Sequence, residues 1–130
     1  MTGPYVYRNA TALADRIEAT LPQFDGDQVQ AVYSFFESEE YASNYERLDD
    51  EAPIEVDPRW PNDRLLLFLV DNTYVFIRSC DAPASEVISA FKKNQVLEFI
   101  VSRYDYLKES CFEKILNMMS VHSDIALCAE

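Results

Sequence analysis

Leu65-Leu66-Leu67-Phe68-Leu69-Val70, Asp71-Asn72, Thr73-Tyr74-Val75-Phe76-Ile77: the reading of this run decides the fold. The first six residues are apolar at every position, which is the pattern of a strand covered on both faces. Asp71-Asn72 is a pair that tolerates the positive φ of a tight two-residue turn. The residues after it are rich in β-branched and aromatic side chains. The run therefore predicts a β-hairpin, 65–70 against 73–78. A lone hairpin is marginal in water, so it requires further strands or a layer of helices. Upstream, Ile54 and Val56 alternate with Glu55 and Asp57, and Pro53 and Pro58 at the ends suit an edge strand. Tyr5-Val6-Tyr7 is the other candidate strand.

Helical periodicity occupies the rest of the chain. Leu13, Ile17 and Leu21 recur every four residues, after an N-cap at Asn9 or Thr11 and before Pro22. Asp25 or Asp27 caps a second helix whose stripe is Val29, Val32, Tyr33 and Phe36; Phe35 falls off that stripe. Ser38 is a third N-cap, with Glu39 and Glu40 in the anion-favouring first turn and Tyr41, Tyr45 and Leu48 on one face. Ser85 caps a helix to Phe91. Beyond it, Leu97, Ile100, Tyr104, Leu107, Cys111, Ile115, Met118 and His122 follow at spacings of three or four. That predicts one long helix, or two broken near 106–109. The expected fold is a single α+β domain over 1–130: a small antiparallel sheet packed against helices, with a long C-terminal helical region.

Composition bounds the function. With 130 residues, 48% hydrophobic, the chain can bury a core of its own. Only two glycines are present, Gly3 and Gly26, which excludes glycine-rich phosphate loops and nucleophile elbows. A single histidine, His122, excludes multi-histidine metal sites, and no CxxC or calcium-loop spacing occurs. Cys111 and His122 lie 11 residues apart, about 16 Å along a straight helix, too far for a nucleophile–base pair. Cys111 on an apolar stripe reads as a core residue, and His122 as a helix C-terminal residue favoured by the dipole. No carboxylate stands out as a catalytic acid or base. The expectation is therefore no enzyme, no cofactor and no metal. Three cysteines without pairing signals (Cys80, Cys111, Cys128) read as reduced thiols, and no run is apolar enough for a signal peptide or a membrane span. The expected location is the cytoplasm.

Charge carries the functional argument. There are 23 acids against 11 bases, a net of −12. From Asp25 to Asp63 there are 12 acids and two bases, Arg47 and Arg59. Such a surface does not attract nucleic acid or anionic membrane; it attracts cations. The candidate partner-binding residues are Glu37, Glu39, Glu40, Tyr41, Tyr45, Glu46, Asp49, Asp50, Glu51, Glu55, Asp57 and Trp60. Carboxylates there would meet Lys and Arg, and aromatic rings would meet guanidinium planes. The other reading of Trp60 is a plug of the loop onto the core, since a lone Trp is usually well buried. Asp105, Glu109 and Glu113, spaced by four, form a second acidic row.

The leading expectation is an inhibitory binding protein that occupies the basic surface of a nuclease or a nucleic-acid-binding complex. Either a toxin-neutralising immunity protein or a phage-type antagonist of a host defence complex, with DNA mimicry as one route, fits that description. The alternatives are a structural or adaptor subunit that oligomerises through its C-terminal helix, homodimers included, and a small-ligand-binding domain. A deep apolar pocket with a few polar groups favours the ligand class; a convex acidic face favours the inhibitor.

Overall fold

The computed structural model describes residues 7–44, 64–80 and 82–125, with side chains from residue 12 onward except those of Asn44 and Phe112. Among the described residues every regular element is helical: α1 (Tyr7–Glu18), a 3-10 turn (Leu21–Phe24), α2 (Gln28–Phe36), α3 (Glu39–Asn44), α4 (Leu65–Arg78), α5 (Ala84–Asn94), α6 (Val96–Ser102), α7 (Tyr104–Leu107) and α8 (Phe112–Ser123). The expected sheet is overturned. Residues 65–78 form one helix rather than a hairpin, and the expected α+β class gives way to an all-helical one. Of the other candidate strands, Tyr7 opens α1, while Tyr5, Val6 and 54–56 lie outside the described residues.

The reason for the correction is burial. Every residue from Leu66 to Ile77 is buried. A helix surrounded on all sides shows no polar stripe, so its sequence is continuous apolar text, like that of a doubly covered strand. Asp71-Asn72 does not turn the chain. Asn72 instead supports the helix from within, its Nδ2 donating to the Phe68 carbonyl one turn back at 2.8 Å. α4 is the axis of the molecule: α1 lies along it, and α2 and α8 also pack against it.

Aromatic rings fill the layers around this axis. Phe36 meets Tyr41 edge-on at 4.9 Å between centroids, and Tyr41 meets Tyr74 of α4 at 6.3 Å. Phe76 packs on Phe91 of α5 at 5.1 Å, and Phe68 on Tyr104 of α7 at 5.1 Å. Phe35 is buried too, so α2 has a wide apolar face. Leu13 and Ile17 of α1 are fully buried, as their spacing predicts.

Several helix ends follow the sequence. The Asp27 carboxylate accepts from the Gln30 N–H at 3.1 Å, which makes it the N-cap of α2. The Ser38 hydroxyl accepts from the Tyr41 N–H at 3.2 Å and restarts the chain as α3. Ser85 is not a cap, because α5 begins one residue earlier, after Pro83. The long C-terminal helix is also corrected. It is three helices, interrupted at Arg103, which was not expected, and between Leu107 and Phe112, next to the break expected near 106–109. Gln95, at φ 54°, separates α6 from α5 by ending α5 in the left-handed conformation. Without a glycine or proline, the breaks let Tyr104 of α7 meet Phe68 of α4 and let α8 pack on α4, α5 and α6.

One buried tyrosine secures this turn. Tyr33 on α2 donates its hydroxyl hydrogen to Glu98 Oε1 at 2.7 Å and accepts from the Leu97 N–H at 3.1 Å. Leu97 is in the first turn of α6, where N–H groups have no partner within the helix. A side chain from α2 thus caps a helix more than sixty residues away in sequence. Burial, then the Glu98 hydrogen bond, holds the phenol well above its ordinary range.

Candidate functional site

The acidic surface is only partly within the described residues. Tyr45, Glu46, Asp49, Asp50, Glu51, Glu55, Asp57 and Trp60 lie outside them. The others are found around α3. Glu39 is exposed and accepts from the Ser43 hydroxyl. Glu40 is held by Arg16 of α1 through a two-pronged contact at 2.7 and 2.9 Å. Glu37 pairs with Lys92 of α5 at 2.9 Å. Tyr41 is fully buried among Phe35, Phe36 and Tyr74, so its ring is core and not surface. Glu37 and Glu40 therefore tie helices together as well as contributing charge, while Glu39 faces solvent.

The second acidic row is dispersed. Asp105 belongs to α7, Glu109 to the following turn and Glu113 to α8, so the spacing of four does not mark one helix face. Asp105 lies 3.8 Å from the Lys108 ammonium.

On the side formed by α6 and α8 there is an apolar groove of about 540 Å³. Its wall includes Phe99, Cys111, Lys114, Met118, Val121 and His122. α8 has two faces. Ile115, Leu116 and Met119 point into the core, while Cys111, Lys114, Met118 and Val121 form a second stripe along the groove. Val121 is 81% exposed there. The His122 ring stacks on Phe99 at 4.0 Å between centroids, nearly parallel at 18°. Arg103 lies over the same Phe99 ring, its Cζ 4.4 Å from the centroid.

Sequence reasoning missed this groove. The available signal was the width of the apolar pattern on α8, which is too wide for one buried face. Cys111 is exposed at the N-cap of α8 rather than buried, and with His122 in the last turn the two mark opposite ends of the helix. Neither Cys80 nor Cys111 is in a disulfide among the described residues; Cys128 lies outside them.

A third feature is internal. Asp71 is fully buried, and among the described residues neither of its carboxylate oxygens has a hydrogen-bond partner. Burial alone pushes its carboxyl from the usual 3.8 to about 7. The Asn72 Oδ1 and Thr73 Oγ1 beside it are also buried without partners among the described residues.

Among the described residues no three His, Cys, Asp or Glu side chains gather to hold a metal ion, and no helix is long and apolar enough to cross a membrane. No protein-family model matches the chain, and comparison with curated proteins and with solved structures found no match.

Proposed function

We propose that this protein acts by binding, without catalysis, to the cationic surface of a partner protein, in the manner of an inhibitor of a nuclease or a nucleic-acid-binding complex. The observation that carries the reading is charge that the fold does not absorb. With 23 acids and 11 bases, one-to-one pairing leaves at least 12 carboxylates without an internal cation. Arg16 and Lys92 engage two acids near α3, yet 45–63 alone holds seven acids against two bases. Concentrated like charge raises the energy of the compact state and is offset when a basic partner meets it.

The test is kinetic. The partner is identified by co-purification from the native source, and its association rate is measured against ionic strength. Complementary charge raises that rate, and salt suppresses it over a Debye length of about 8 Å at physiological ionic strength. Asp49, Asp50 and Glu51 reversed to Lys should slow association strongly. Reversal of Asp15, Asp105 and Glu109 makes the same change in net charge on exposed positions elsewhere, and should slow it far less. Equal slowing by both triples means that bulk charge alone matters. A rate indifferent to salt and to both triples removes the electrostatic reading.

A further inference from the structure

The α6–α8 groove differs in chemistry from the rest of this acidic molecule, and two independent observations meet there. The first is its shape and lining. A volume of about 540 Å³, walled by Phe99, Met118 and Val121 with a few polar groups, is in the range of small-molecule sites. The second is the fate of the cations. In a chain with about two acids per base, a surface cation readily finds a carboxylate. Arg16, Arg64, Lys92 and Lys108 each do so. Four described cations, Arg78, Lys93, Arg103 and Lys114, form no ion pair among the described residues; two of them, Arg103 and Lys114, are exposed beside the groove.

Both are instead held in place by aromatic rings. Arg103 lies over Phe99, and the Lys114 ammonium lies 4.6 Å from the Tyr106 ring centroid. Lys114 also donates to the Tyr106 hydroxyl, which leaves two of its three N–H groups open. Against these two cations the groove wall sets one carboxylate, Glu113. The wall itself balances Lys114 against Glu113, and Arg103 at its edge adds a further cation that favours an anionic head, while the apolar wall favours hydrocarbon.

We infer that the groove between α6 and α8 binds an apolar small molecule bearing a single anionic group, its hydrocarbon against Phe99, Met118 and Val121 and its head toward Lys114 and Arg103. The inference does not rest on the acidic surface, which involves other residues. A volume of this size suits a long-chain or aromatic acid; a partner helix is about 10 Å across and far larger. The same chemistry is found in a free carboxylic acid and in the edge of an anionic bilayer, and the structure favours the free molecule because the groove is a single site of limited volume.

Dodecanoate, below its micelle concentration, is the probe, titrated by calorimetry into the intact protein. One saturable site per chain is expected, and maleimide labelling of Cys111, on the groove wall, should slow as the site fills. Lys114→Glu and Val121→Asp should each weaken binding about tenfold or more. Lys93→Glu, the same charge change on exposed α5, should leave it unaltered. Dodecyltrimethylammonium, with the same chain and the opposite charge, should not bind. Phosphatidylglycerol vesicles should not sediment the protein.

Absence of saturable dodecanoate binding overturns the inference. So does equal binding of the cationic amphiphile, or binding untouched by both groove variants. Sedimentation with vesicles without binding of free dodecanoate assigns the face to a membrane surface and overturns it too. Both replaced side chains are exposed, so the fold should survive; if a variant melts early, Cys111 protection in the unaltered protein decides.

Discussion

Asp71 of α4 is fully buried in the protein with neither oxygen hydrogen-bonded among the described residues, an environment in which its charge is costly. Its carboxyl titrates near 7 in the folded chain against 3.8 in the open one, because burial disfavours the charge. The folded state therefore keeps a proton that the unfolded state has already released between those two values. The stabilising contribution is fully present below pH 3.8, is lost as pH rises toward 7, and is absent above it. Three pH units correspond to about 4 kcal/mol at most. Asp71→Asn keeps the shape and removes the titration. Its melting temperature should exceed the wild type's at pH 8, and the difference should vanish near pH 4. A difference constant with pH would mean that the carboxylate is neutralised by a group facing it. Tyr33 is the opposite case, a polar group whose partners are in place. Tyr33→Phe leaves the Leu97 N–H without its acceptor and should cost about 1–3 kcal/mol in denaturant unfolding. A cost near zero would show that Tyr33 contributes only its ring.

At the scale of elements the decisive one is α4, where helix and hairpin predict opposite effects of one substitution. In a hairpin, Asn72→Gly would create Asp-Gly, a favoured two-residue turn, and would stabilise. In the helix it removes the bond to the Phe68 carbonyl, empties a buried position and adds the helix cost of glycine, about 1 kcal/mol. The expected outcome is a clearly lowered melting temperature, and a raised one would restore the hairpin. The same element shows what the sequence made legible. Amphipathic helices announce themselves, so α1, α2 and the caps at Asp27 and Ser38 could be read from spacing and side-chain chemistry. α4 has no polar face, so its text carries no period, and a polar pair in its middle reads as a turn. The breaks around α6 and α7 were illegible for another reason. Gln95 at φ 54° marks no boundary by residue type; long-range packing, including the Tyr33 contact with Leu97, accompanies the break there. The groove was legible only in part: of its side chains Cys111, Met118 and His122 appeared in the apolar pattern of 97–122, while Val121 did not, and which of them face inward is set by α8's contacts with α4, α5 and α6.

For the whole molecule, charge is the property that sequence and structure share most directly, because it depends on composition more than on fold. Beside the local Asp105–Lys108 pair, three described ion pairs join elements distant in the chain: α1 to α3 through Arg16 and Glu40, the start of α4 to the end of α1 through Arg64 and Glu18, and α5 to the end of α2 through Lys92 and Glu37. All are substantially exposed, so each contributes little by itself. What they leave is a net of −12 whose mutual repulsion opposes compaction. Moderate salt should therefore stabilise the protein, and removing negative charge should do the same. Asp49→Lys, Asp50→Lys and Glu51→Lys together change the net charge from −12 to −6. In low salt this triple variant should melt at or above the wild-type temperature. Raising sodium chloride to about 0.5 M shortens the Debye length to a few ångströms and should shrink the difference. The comparison separates binding from folding: a variant that melts higher yet associates more slowly with its partner shows that these carboxylates serve recognition at the expense of stability. A variant that melts well below the wild type at every ionic strength would instead show that they hold the fold, and the slower association would then follow from damage to the structure.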